Sequence, residues 1–412
     1  MSAAPKPDPS PSEALARRAF QVAAVFFVIA AGIGLYLRWY AISPQLGVTY
    51  RYLLHAHSHI AFLGWVFNAF IGIAIVLFLH PSRHRQIRQL FIVLQVANLG
   101  MLASFPFQGY AAASISFSTL HLAGSACFAI LLWKDAPPGQ APSGFLKTSL
   151  VFMLLSSLGP LALGPMAAMD LRESPWYTFA IYFYLHFQYN GWFLFFLIAA
   201  LLKAIENLSP SLPQNRLNKA LWWLSIGTAG NVTLSALWIQ VPIWVGAVAL
   251  LSGCAQLIGL STLLPSIIAA YRQADLQPLA RALALLAMVC FVAKFFLQLF
   301  ASLPGFISFS IDRFSAIGFL HLVFLGIVTP ALILWALQNR WMKRGKASAL
   351  GICGLLIGFA ITEGALFLQA LLTKLAQPPV AYLSELLIAG SVVLFAGTLF
   401  LTAALLRQRA NV

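Results

Sequence analysis

Three histidines at alternate positions open an apolar stretch of this chain. His55, His57 and His59 lie in "YRYLLHAHSHIAFLGWVFNAF", residues 50–70. Imidazole ligates iron, copper and zinc, and it carries protons near neutral pH. On a helix His55 and His59 share one face, whereas His57 points roughly 200° away. A regular helix cannot bring all three to one ion. Either His57 faces the core and binds, with His55 and His59 flanking it, or His55 and His59 form a chelating pair. His121, His186 and His321 lie singly in other apolar runs. His80 and His84 fall in the basic segment "LHPSRHRQIR", where a solvated role suits them.

The elements that must position these side chains are membrane helices. The chain has 412 residues, is 61% hydrophobic and only 8% charged. Soluble domains carry about 25% charged residues. Twelve apolar runs are long enough to span a bilayer, and lipid leaves their backbones no partners except within a helix. The reading is an all-α polytopic membrane protein of twelve transmembrane helices. Residues 1–16, rich in Pro, Ser and Ala, read as a disordered tail, and 17–412 as one twelve-helix domain. The run after Arg17 and Arg18 is too long for a signal-peptide core and reads as a retained helix.

The net charge is +15. With both termini cytoplasmic, the inner segments gather Arg17, Arg18, Arg83, Arg85, Arg88 and most other basic residues. The outer ones hold Arg38, Arg51, Arg172, Arg313 and Lys374. The excess thus sets topology and does not point to nucleic acid. The four cysteines all fall inside spans, without a CxxC or CxxCH pattern, and read as buried apolar residues.

This orientation turns the histidine positions into depths. His57, His121, His186 and His321 each lie roughly 7–14 Å below the outer surface at the helical rise per residue. His55 and His59 share that zone, and the inner halves of the spans have no histidine. Ionisable groups in a span usually face the bundle interior and mark a function. Metal or haem ligation is therefore expected of the set. Lys294 in the ninth span and Glu363 in the eleventh lie at matching depth and are expected to form an intramembrane ion pair, or to serve a haem propionate or proton site. Tyr189 and Asn190 flank His186. No ladder of carboxylates and lysines occupies the inner halves, so no proton pump is expected.

The spans "HSHIAFLGWVFNA", "HFQYNGWFLFF" and "FLHLVFLGIVTP" resemble the second, sixth and tenth helices of subunit I of the haem–copper oxidases, in the branch with b-type haems. The family's second helix follows its haem-ligating His with Gly at +7 and Asn-Ala at +11 and +12. Gly64, Asn68 and Ala69 stand at those offsets from His57. The resemblance thus implies that His57 is an axial ligand. His321, followed by Gly326, matches the second His of the family's tenth-helix His-x-His, the other ligand of the low-spin haem. Phe319 replaces the first, the proximal ligand of the oxygen-binding haem. His186 matches a copper-binding His of the sixth helix, but the seventh span, "LWWLSIGTAGNVTLSALWI", lacks the family's His-His pair.

The resemblance implies one bis-His haem b near the outer leaflet, with Arg38 and Arg51 among its propionate partners. Copper or another metal ion would need His186 with His55, His59 or His121. The NnrS-type haem- and copper-containing membrane proteins, linked to nitric-oxide metabolism, have a similar span count and a His-x-His opening a helix. The implied function is redox or electron transfer, or O2 or NO handling, in a bacterial inner (plasma) membrane. Its partners would be lipid, an electron donor, other respiratory-chain subunits or a small gas. A complete oxygen-reducing centre is not implied. The alternative is a twelve-span secondary transporter using its intramembrane His, Lys and Glu groups.

Overall fold

The computed structural model describes residues 10–45, 47, 49–208, 212–239, 241–307 and 312–407. Among them the secondary structure is helical, without strands, as the need to satisfy every backbone group in lipid demands. The long helices are α1 (Pro11–Tyr40), α2 (Tyr50–Leu77), α3 (Pro81–Gln108), α4 (Ala112–Asp135), α5 (Ala141–Ala168) and α6 (Pro175–Asn207). After α7 (Gln214–Gly230) come α8 (Ile243–Gln273), α9 (Pro278–Ala301), α10 (Arg313–Gln338), α11 (Lys346–Lys374) and α12 (Leu383–Leu406). Among the described residues, eleven helices are long and apolar enough to cross a membrane. The chain is an integral membrane protein.

The seventh is the exception. Its α-helix stops at Gly230 and continues as a 3-10 turn over Asn231–Ala236. Two glycines in its last turn are there because α8 approaches closely. A Cβ on Gly227 would lie 2.8 Å from the Ser252 carbonyl, and one on Gly230 2.2 Å from the Ser252 hydroxyl. The first helix also departs from expectation. It begins at Pro11, inside the stretch read as a tail, because Ser10 caps it by accepting from the Glu13 amide and proline suits the first turn. Residues 1–9 lie outside the described residues.

The chain divides into two compact units. One comprises 1–136, 341–348 and 398–412; the other comprises 137–340 and 349–397. The first is organised on α1 and α2. Phe27 stacks on Trp65 at 4.6 Å, and Phe20 meets Trp65 and Trp341 edge-on. Gly72 lets α2 approach α1, where a Cβ would fall 2.7 Å from the Ala16 carbonyl. In the second unit buried amides join the end of α7 to α8. Asn231 donates to Gln256 Oε1 at 3.1 Å, and Gln256 Nε2 donates to the Thr228 hydroxyl at 3.1 Å. Of the cysteines only Cys290 is buried; Cys127, Cys254 and Cys353 face outward. On a spanning helix the outward side is apolar lipid, so a thiol there is no more costly than inside.

Candidate functional site

Each of the three motif helices changes its winding directly after a histidine. A π-helical segment follows His59 (Ile60–Phe67), His186 (Phe187–Phe193) and His321 (Leu322–Val328). A π segment widens the backbone ladder and turns the side chains before it relative to those after it. Such segments are rare and concentrate at functional sites. Each contains a glycine five residues after the histidine: Gly64, Gly191 and Gly326. All three are sites of close helix approach. A Cβ would lie 2.8 Å from Phe26 Cγ at Gly64, 2.6 Å from Phe152 Cβ at Gly191 and 2.7 Å from Cys290 Sγ at Gly326. In the first segment Asn68 donates to the Gly64 carbonyl at 2.8 Å and exchanges amide hydrogen bonds with Gln95. The glycine and asparagine spacing that nominated His57 thus serves the π segment directly.

In the first unit the triple histidine divides as helical geometry requires. The His57 ring lies against α1, where Nδ1–H donates to the Ala30 carbonyl at 2.8 Å. A carbonyl only accepts, so this bond fixes the tautomer with the lone pair on Nε2. The ring packs on Gly34, where a Cβ would sit 2.9 Å from its Cε1. His55 and His59 turn the other way, onto Phe105 and Tyr110. His55 is 4.6 Å from the Tyr110 ring and His59 4.4 Å from Phe105. His59 Nδ1–H donates back to the His55 carbonyl at 2.9 Å. His121 is buried beside Phe67, with Nδ1 3.2 Å from the Ser125 hydroxyl; its Nε2 has no hydrogen-bond partner. Arg38 ends α1 half-buried and Arg51 begins α2 exposed.

In the second unit His321 and Glu363 come together. His321 Nδ1 lies 3.3 Å from Glu363 Oε1, with the carboxylate side chain 7% exposed. The expected Lys294–Glu363 pair is not formed. The Lys294 ammonium is fully buried over the Phe295 ring at 4.0 Å and has no hydrogen-bond partner. Depth matched the two residues, but the carboxylate takes up His321 instead.

His186 is held at both ring nitrogens. Nε2–H donates to the Thr228 carbonyl at 2.8 Å, and Nδ1 accepts from Asn190 Nδ2 at 3.3 Å. The Thr228 carbonyl is available because α7 stops two residues later, leaving its last carbonyls without helical partners. His186, Tyr189, Asn190 and Phe319 line a cavity of about 470 Å³. Phe319 meets Tyr189 edge-on at 6.0 Å.

Chemically, His57 offers what an axial ligand needs. One nitrogen is anchored by an acceptor, which orients the ring and leaves the lone pair on Nε2. In His321 the nearby carboxylate can play the anchoring part. His186 has no lone pair left to offer. Among the described residues no group of three or more His, Cys, Asp or Glu side chains is gathered closely enough to hold a metal ion. The π segments and the Glu363 partnership were not read from the sequence. A histidine followed at +5 by glycine in three spans was the available signal.

The fold defines a class. It matches that of a haem–copper terminal oxidase dimer solved by cryo-electron microscopy, with a TM-score of 0.67. The alignment covers 98% of this chain and 85% of that chain at 14% sequence identity, so the likeness is one of fold. No protein-family model matches the sequence, and no curated protein matches it.

Proposed function

We propose that this protein is a haem-carrying membrane redox protein, with His57 and His321 as the axial ligands of one low-spin haem b. The observation that carries the reading is the hydrogen bond from His57 Nδ1–H to the Ala30 carbonyl, with the Glu363 carboxylate 3.3 Å from His321 Nδ1 beside the second imidazole. Anchoring of this kind is the usual outer shell of ligating histidines. The choice of His57 over His55 and His59 is supported by their opposed directions, since the latter two face Phe105 and Tyr110 while His57 lies against α1. Arg38 and Arg51 would serve the propionates. When bound, the haem supplies reversible one-electron chemistry. The chain contributes the ligands, the tautomer of His57 and, through Glu363, a carboxylate beside His321.

The second site of the oxidases is not carried over. Phe319 has no donor atom, α7 has no histidine, and both nitrogens of His186 are engaged. The isolated chain should show little or no oxygen reductase turnover. Electron transfer from a respiratory donor, or reversible handling of a small gas such as NO or O2, suits one haem better. The proposed setting is a bacterial inner membrane with both termini cytoplasmic.

The test is haem retention in purified variants. His57→Ala and His321→Ala should each abolish haem binding, because iron would lose an axial imidazole. His55→Ala and His59→Ala should keep most of it. Equal loss from His55→Ala would show the ligand register to be wrong.

A further inference from the structure

From the cavity in the second unit we infer a binding site for a neutral, lipid-soluble aromatic molecule carrying a hydroxyl donor, a phenol in chemical class. This goes beyond the haem reading and does not depend on it. The cavity of about 470 Å³ lies within the 300–1,000 Å³ usual for small-molecule sites. No lysine, arginine or carboxylate lines it. Its one imidazole, His186, is hydrogen-bonded at both nitrogens. A charged ligand would find no counter-charge, and a porphyrin would find neither an axial nitrogen nor a cation for its propionates.

The walls suit a flat ring. Tyr182, Tyr189, Trp238, Phe319 and Phe367 all line the space. Three of its other lining residues, Asn190, Gln298 and Ser315, are buried and carry polar atoms without partners: Asn190 Oδ1, Gln298 Oε1 and Ser315 Oγ. The Asn190 amide cannot be turned over to cure this. The His186 Nδ1 lone pair needs its NH2 group, so the carbonyl oxygen must point elsewhere. A buried acceptor without a donor is costly. For Asn190 the missing partner is therefore a donor, and an O–H supplies it; the same hydroxyl can accept from Ser315. The route in is from the bilayer: Tyr182 lines the cavity and is 40% exposed on the flank of spanning helix α6.

The probe is 2,6-diisopropylphenol, set against its methyl ether, which keeps the ring and loses the donor. Binding is measured on the purified full-length protein in detergent by calorimetry and by quenching of tryptophan fluorescence. The phenol should bind about tenfold more tightly than the ether, the worth of one net hydrogen bond. Gln298→Leu should shrink that preference, and Ala301→Trp, which fills the cavity, should abolish saturable binding of both. The Gln298→Leu comparison stands by itself where Ala301→Trp fails to fold. Equal affinity for phenol and ether would overturn the proposal, as would no saturable binding at all, or phenol binding unchanged in Ala301→Trp. A second haem per chain whose loss follows Ala301→Trp would assign the cavity to porphyrin instead. Loss of the first haem in His57→Ala should leave phenol binding intact, so the two readings fail separately.

Discussion

Glu363 is the residue whose role changed most between sequence and structure. A carboxylate beside an axial imidazole makes it more electron-rich and favours ferric iron. Under the proposed haem ligation, Glu363→Gln should keep the haem but raise its reduction potential, by about 60 mV for each tenfold of ferric preference lost. Redox titration of the variant measures this; an unchanged or lowered potential would detach Glu363 from the haem. Lys294 makes the opposite prediction. Its buried ammonium has no hydrogen-bond partner, so Lys294→Met, similar in volume, should raise thermal stability by something on the order of 1–3 kcal/mol without changing haem content. A loss of stability would reveal a partner that Lys294 serves. Both residues were found by sequence because a charge in an apolar run stands out. Their partners were not, because counting along a helix gives depth but not azimuth. His57 was separable from His55 and His59 since angles within one helix are fixed; contacts between helices are not.

The helices were legible from their apolar runs, the winding within them was not. A π segment needs no special composition, and Ile60–Phe67 reads as ordinary apolar helix. Its trace is the glycine at a fixed offset, which records where a neighbouring helix presses close. Gly191→Ala should place a methyl 2.6 Å from Phe152 Cβ and destabilise the fold by about 1–3 kcal/mol through overpacking. Gly364→Ala, inside α11 with nothing within 4 Å, should be neutral or stabilising by up to about 1 kcal/mol, because alanine favours helix. Thermal unfolding of the two variants in the same detergent makes the comparison; equal effects would mean that the glycines are placed for helix propensity and not for close approach. The seventh helix shows the same limit. Its apolar length suggested a full span, while the α-helix ends at Gly230 and the Thr228 carbonyl goes to His186.

At the scale of the molecule, composition settled most. Few charges and long apolar runs require a helical membrane protein, whatever the details of packing. The distribution of basic residues predicts that both termini and the loop at Arg83–Arg88 are cytoplasmic. A Ser82→Cys variant should react with a membrane-impermeant maleimide only after cells are opened; labelling of intact cells would invert every depth assigned to the histidines. Composition does not separate a redox protein from a transporter, and the fold alone supplies no cofactor. Both depend on whether His57 and His321 hold iron. The direct measurement is the reduced-minus-oxidised optical spectrum of the purified chain, with haem quantified against protein. One haem b per chain, with the sharp reduced bands of bis-imidazole ligation and their loss in His57→Ala and His321→Ala, is the predicted result. A chain that is colourless after expression with ample haem, or one that carries two haems and consumes oxygen rapidly, would contradict it.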